Sequence, residues 1–78
     1  MYKGFVLINT SPEIEHEVYN RLCKISGINE LYPLFGEYDL LAKIELKDYD
    51  TLINMIKNNI KTIEGVLDTK LLNGTKVL

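Results

Sequence analysis

Four short stretches of the chain have the apolar patterning of β-strands. Residues 2–9 contain the apolar run Phe5-Val6-Leu7-Ile8, which predicts a buried central strand. From residue 40 the pattern alternates, with Leu40, Ala42, Ile44 and Leu46 on one face and Lys43, Glu45 and Lys47 on the other. Further strands are predicted over 28–35 and 66–72. Pro33 lacks an N–H, so it is expected at a sheet edge or a bulge.

Two other stretches place apolar residues three or four positions apart, which predicts one buried helical stripe in each. The stripes are Ile14, Val18, Leu22 and Ile25 in the first helix, and Leu52, Ile56, Ile60 and Ile63 in the second. Ser11 and Asp48 are expected to cap the two helices, because their side-chain oxygens can accept hydrogen bonds from free N–H groups. Gly27 and Gly65 are expected to end them.

The two halves of the chain repeat the same order. A shift of 38 positions carries each residue of the first stripe onto one of the second, and also carries Gly27 onto Gly65. Two β-α-β units joined by a hairpin predict an α+β, ferredoxin-like βαββαβ fold. Its four-stranded antiparallel sheet would carry both helices on one face. Asn73-Gly74 is a turn signal, and residues 76–78 are expected to form a short extra strand or a loose tail.

Apolar side chains are also expected on the sheet face that the helices leave open. The first strand is apolar on both faces, and the fourth strand adds Leu67 and either Leu71 or Leu72. An apolar face of this size on a soluble protein usually meets a partner. We therefore expect a homodimer with sheet packed on sheet around a two-fold axis.

Composition narrows the class of protein. The 78 residues are 46% hydrophobic and 26% charged, which indicates one small globular domain spanning 1–78. A net charge of -2 argues against a nucleic-acid surface. The single cysteine excludes an internal disulfide, and no apolar run has the length of a signal or membrane segment. A cytoplasmic protein is expected.

Residues that could carry catalysis are sparse. Glu13 and His16 have the i, i+3 spacing found in some metal sites, but further ligands are lacking, so a solvated helix face is expected. Cys23 adjoins the first apolar stripe without a nearby base, and we expect it to be a small buried hydrophobe. No catalytic residue, metal or cofactor is predicted.

The segment Gly36-Glu37-Tyr38-Asp39 brings together a flexible backbone, an aromatic ring and charge. One interpretation is a plain hairpin turn, with glycine at positive φ and aspartate as a turn former. The other is a polar lip whose N–H groups hold a carboxylate while Asp39 pairs with an ammonium, as an amino-acid ligand requires. Thr69 is a second candidate, although a threonine on a strand needs no function. The residues alone favour the hairpin turn, and a structural role for Thr69, over the binding interpretation.

The arrangement as a whole resembles the effector-binding domain, or RAM domain, of the leucine-responsive regulator and AsnC (Lrp/AsnC) transcription factors. The resemblance covers nearly the entire chain. The segments that carry it are 5–8, 27–32, 36–44 and 63–69. The most specific of them is the Gly-x-Tyr-Asp turn that leads into an apolar strand between two β-α-β halves.

This resemblance implies a dimer built through the sheets, often associated further into octameric rings. It also implies a small effector, usually an amino acid, bound between neighbouring subunits near the turn. Gly36, Tyr38 and Asp39 match the family's motif, Glu37 occupies its variable position, and Thr69 matches a threonine associated with the pocket.

Two positions depart from the family's pattern. Leu71 and Phe35 stand where the family commonly has threonine or serine, so two hydroxyls are missing near the expected pocket.

The first strand begins at about Tyr2, so we expect no helix-turn-helix in this chain and no direct contact with nucleic acid. Such an effector domain would act on transcription by joining a full-length Lrp/AsnC regulator or by buffering its ligand. Two other functions remain open. One is a small dimeric enzyme of the monooxygenase or haem-degrading type, although the chain has no tryptophan. The other is a purely structural assembly module.

Overall fold

The computed structural model describes residues 2–72, which form a four-stranded antiparallel sheet and two helices. The elements are β1 (Tyr2–Thr10), α1 (Glu15–Cys23), β2 (Ile28–Pro33), β3 (Leu40–Leu46), α2 (Tyr49–Met55) and β4 (Val66–Leu72). The strands lie in the order β2-β3-β1-β4. The ferredoxin-like βαββαβ fold is therefore confirmed. The expectations for Asn73-Gly74 and for 76–78 lie outside the described residues.

The core lies between the helices and one face of the sheet. Even-numbered residues of β1 and β3 face the helices. The buried apolar residues are Val6, Ile8, Leu40, Ala42 and Ile44 from the sheet and Val18, Leu22, Leu52, Ile56 and Ile60 from the helical side. Burying a Val, Leu or Ile side chain contributes about 1.5–3 kcal/mol. These side chains therefore decide which face of the sheet is internal.

The two helices begin differently. A 3₁₀ turn over Pro12–Ile14 precedes α1, and the Ser11 hydroxyl makes no capping hydrogen bond there. The backbone oxygen of Ser11 accepts a hydrogen bond from the Ile14 amide at 3.1 Å instead. Asp48 caps α2 as predicted, since its Oδ1 accepts from the Thr51 amide at 2.8 Å. Hydrogen bonding by Thr51 to the carboxylate holds the pKa of Asp48 below its ordinary value.

The second helical stripe is not one regular α-helix. After Met55 the backbone widens into a π-helical turn over Ile56–Ile60, where the Lys61 amide donates to the Ile56 oxygen at 2.9 Å. Apolar residues four apart drift by about 40° on a regular α-helix. The wider turn offsets this drift, and both Ile56 and Ile60 are buried.

Strand β2 is an edge strand, as Pro33 predicted. It ends at Pro33 rather than at residue 35, and its pairing with β3 shifts register between Ile28 and Glu30. Beyond the strand, the Leu34 amide donates to the Asp39 oxygen at 2.9 Å. That hydrogen bond closes the base of the connection between β2 and β3.

Gly65 permits a close approach between the end of the second helical segment and α1. Its φ is +102°, and a Cβ at this position would lie 2.5 Å from Ile14 Cδ1 and 2.7 Å from Val18 Cγ2. The neighbouring chain is fixed by the Ser11 amide, which donates to the Gly65 oxygen at 2.7 Å. The glycine predicted to end this helix thus also packs against the first one.

Candidate functional site

The loop over 34–39 carries most of the predicted site. Gly36 has φ +128°, and a Cβ there would meet nothing within 4 Å. Gly36 and Glu37 are exposed, whereas Tyr38 and Asp39 are half-buried. The ring of Phe35 is fully exposed. The predicted positive φ is confirmed, and the loop presents an aromatic side chain beside an open backbone.

Asp39 is fixed by the end of β1. Its Oδ2 accepts a hydrogen bond from the Thr10 amide at 2.8 Å and lies 3.4 Å from the Thr10 hydroxyl oxygen. Thr10 is only 3% exposed, and the pairing of β1 with β4 shifts register between Asn9 and Thr10. The carboxylate therefore satisfies a buried N–H group beside an irregularity of the sheet. This structural role was not evident from the sequence.

Thr69 lies on the far side of β1 from the loop. Ile8 is in register with Leu40 of β3 on one side and with Thr69 of β4 on the other. Thr69 is half-buried and lines a hollow of about 250 Å³ together with Lys61 and Asp68. One strand therefore separates Thr69 from the 34–39 loop within a single chain.

The sheet face away from the helices carries an outer apolar patch, as expected, but Leu67 is not in register with its members. The patch consists of Phe5, Leu7, Tyr32, Leu41 and Leu72. Register places Tyr32, Leu41 and Leu7 in one row across the sheet, and Phe5 and Leu72 in the next. Tyr32 is 45% exposed and Leu72 38%. Leu72 rather than Leu71 faces outward, because Leu71 packs against the core.

Polar groups border this patch. Lys43 and Lys70 lie in the same rows as its apolar members. The Tyr32 hydroxyl donates to the Glu30 carboxylate, and this hydrogen bond raises the pKa of Tyr32. Lys3 and Glu45 form an ion pair at 3.7 Å farther along. The apolar patch is thus bordered by charges of both signs.

A groove of about 550 Å³ lies between α1 and the adjoining ends of β2 and β3. We call it the helix-side groove. Its lining includes the apolar walls Tyr19, Pro33 and Leu40 and the polar rim Glu13, Glu15 and His16. Sequence spacing singles out Glu13 and His16 only as an isolated pair. The groove forms only when β2 and α1 are brought together, so it was not predicted from the sequence.

The remaining candidates carry no catalytic arrangement. His16 is exposed, as predicted. Cys23 is exposed as well, so its expected burial is wrong. It follows Leu22 by about 100° around the helix, which turns it away from the core. Residues 2–72 contain no group of three or more His, Cys, Asp or Glu side chains placed to hold a metal ion, and no helix among them could cross a membrane.

Comparison with known proteins gives the family. Residues 3–72 match the family described as the Lrp/AsnC ligand binding domain. The chain belongs to this family. Its resemblance to regulators of this kind is therefore confirmed, and the family favours a regulatory module over a small enzyme.

Relatives carry the domain in two settings. The chain is 31% identical to the transcriptional regulator LysM of Sulfurisphaera tokodaii over 97% of its own length and 52% of the regulator. It is 42% identical to a homocitrate synthase of the same organism over 76% of its length, but this is only 14% of that enzyme. The chain thus spans about half of the regulator and a small part of the enzyme.

Solved structures share the fold over the whole chain. The protein TTHA0845 from Thermus thermophilus has a TM-score of 0.92 and 28% identity, covering 100% of this chain and 98% of that one. The regulator NMB0573 from Neisseria meningitidis, solved as a complex with L-Met, has a TM-score of 0.83 and 16% identity. The match covers 97% of this chain and 53% of the regulator.

Proposed function

We propose that the chain is an effector-binding module that binds an amino acid at the 34–39 loop and responds by changing its assembly. The observation that carries this proposal is the match of residues 3–72 to a ligand-binding domain family. A structural neighbour of the same fold was solved with L-Met, which supports an amino acid as the class of effector.

The loop offers complementary groups for the two charges of an amino acid. Oδ2 of Asp39 accepts from Thr10, and its other oxygen, Oδ1, would accept the ligand's ammonium. Backbone N–H groups near Gly36 would donate to the carboxylate. Tyr38 would pack at the boundary, with Glu37 at the exposed rim.

Thr69 fits this scheme through a second subunit. β1 separates it from the loop in one chain, so a single protomer does not bring the two together. A binding site between neighbouring subunits would place Thr69 of one copy near the loop of another. Ligand binding would then favour the assembled state, since a ligand shifts an equilibrium by its differential affinity for the two states.

Self-association would occur through the outer apolar patch. Phe5, Leu7 and Leu41 are only half-buried, and Tyr32 and Leu72 remain more exposed. A second copy of the same face, related by a two-fold axis, would cover these side chains. Higher ring-shaped oligomers would use other surfaces of the dimer.

Such a module need not bind DNA itself to act on transcription. Related domains occur in a regulator and in a homocitrate synthase, and effector binding is a property that both settings could share. We infer that this chain acts on transcription through assembly, including mixed assembly with a full-length Lrp/AsnC regulator. Co-purification of the chain with such a regulator would support mixed assembly, and two separate homo-oligomers would contradict it.

The test combines native mass spectrometry with calorimetric titration of a panel of L-amino acids. We expect a dimer or larger assembly that binds one amino acid. Asp39→Asn should weaken this binding, because it removes the charge that pairs with the ammonium. The variant still keeps an oxygen that can accept from Thr10. Asp50→Asn, an exposed carboxylate on α2, is the matched control. A protein that binds none of the amino acids would refute the proposal.

A further inference from the structure

The helix-side groove opens at the base of the proposed effector loop. Pro33 and Leu40, which line it, are paired with each other at the two ends of the 34–39 connection. Pro12, which also lines it, lies just past Thr10, the residue bound by Asp39. A ligand anchored at Asp39 is therefore next to an open channel that runs along α1.

The size and lining of the groove suit a side chain. A volume of about 550 Å³ falls within the range of roughly 300–1,000 Å³ of small-molecule sites. Pro33 is exposed and Tyr19 half-buried, so apolar surface is available against methylene groups. The aromatic face of Tyr19 can in addition attract a cation.

The rim of the groove is negatively charged and unpaired. The ion pair within residues 2–72 joins Lys3 and Glu45, so neither Glu13 nor Glu15 has a described cation within ion-pair distance. Carboxylates near the start of a helix offset its dipole, which is equivalent to about half a positive charge. Two full negative charges exceed this amount, and a net negative rim remains.

We propose that the helix-side groove receives the side chain of the effector and selects an amino acid whose apolar side chain ends in a positive charge. This inference rests on the proposed function. Methylene groups would lie against Tyr19 and Pro33, and the terminal cation would reach Glu13 and Glu15. An effector of this class would be held at both ends by carboxylates.

The test compares amino acids with and without a positive charge at the end of the side chain. L-lysine and L-arginine are titrated against L-norleucine, which has an apolar side chain of similar length without the charge. We expect the cationic ligands to bind about tenfold more tightly, as two partly exposed charge pairs permit. The double variant Glu13→Gln/Glu15→Gln should abolish this preference.

Glu17→Gln is the matched control, because Glu17 lies on the same helix but lines a different hollow with Arg21 and Glu64. It should leave the preference for cationic ligands unchanged. Norleucine binding equal to lysine binding, or a double variant that keeps the preference, would overturn the inference. In that case the proposed function would still stand if norleucine bound to the native protein and Asp39→Asn weakened its binding. Binding of no amino acid at all would remove both.

Discussion

Replacing Asp39 by alanine removes the acceptor of a buried backbone amide. Oδ2 of Asp39 lies 2.8 Å from the Thr10 nitrogen, and Thr10 is 3% exposed. A hydrogen bond to a charged acceptor contributes about 1.5–3 kcal/mol, and the amide left behind would have no described partner. The contact at 3.4 Å to the Thr10 hydroxyl adds little. We therefore expect Asp39→Ala to lower the free energy of unfolding by about 2–3 kcal/mol.

Asp39→Asn separates the hydrogen bond from the charge. It keeps an oxygen that can accept from Thr10, but a neutral bond is roughly half as strong as a charged one, so we expect a loss of about 1 kcal/mol. In a domain of this size, 1 kcal/mol shifts Tm by about 4–8 °C, and calorimetry resolves the two variants. Glu37→Ala, an exposed carboxylate in the same loop, is the control and should leave Tm nearly unchanged.

Amide hydrogen exchange gives a second, local readout. The Thr10 amide should be protected in the native protein and in Asp39→Asn, and should exchange faster in Asp39→Ala. An Asp39→Ala protein with the native Tm and a protected Thr10 amide would refute the assigned role of this carboxylate. In that case, a loss of ligand binding in the alanine variant could be attributed to the ligand contact alone.

Three further predictions concern the fold and the assembly. Gly65→Ala should cost about 1–3 kcal/mol more than Gly36→Ala in urea unfolding, because both have positive φ but only Gly65 is crowded; equal losses would contradict this. Asp48→Ala should lower Tm at neutral pH. The Tm difference from the native protein should narrow as the pH falls below 3.8, the ordinary pKa of Asp, since a lowered pKa in the folded state means that only the ionised carboxylate contributes the extra stability. A difference independent of pH would argue against the Thr51 contact. Leu41→Lys should dissociate the proposed dimer in sedimentation without unfolding the protein, and an unchanged sedimentation coefficient would exclude the outer apolar patch as the interface.

The fold could be predicted because it depends on spacing within each element. Residues two apart, such as Val6 and Ile8, share a strand face whatever the rest of the chain does. The apolar stripe predicted for the second helix also lies in the core, as expected. The π-helical turn at Ile56–Ile60 was not predicted, since apolar residues four apart are compatible with either helix type and only packing decides between them.

The candidate site was less predictable because its contacts are long-range. The partner of Asp39 is 29 residues away and depends on a register shift in β1, for which the sequence has no local signal. The helix-side groove likewise requires α1 and the end of β2 to meet. Cys23 is a simpler case: it adjoins an apolar stripe in sequence but is exposed, because the next residue on a helix faces another direction.

Within residues 2–72, β2 and β4 are the edge strands of the sheet, and they differ in their ability to accept another strand. Because the Leu34 amide points toward β3, the Pro33 nitrogen points outward and offers no hydrogen, and the register shift near Glu30 disrupts the same edge. Strand β4 has a regular ladder from Phe5 to Asn9 on its inner side and no proline. Proline and bulges discourage edge-to-edge pairing. Edge-to-edge pairing of two copies through β4 would therefore leave β2 at both outer edges of the joined sheet. Because β2 resists further pairing, the sheet is poorly suited to grow into a fibril.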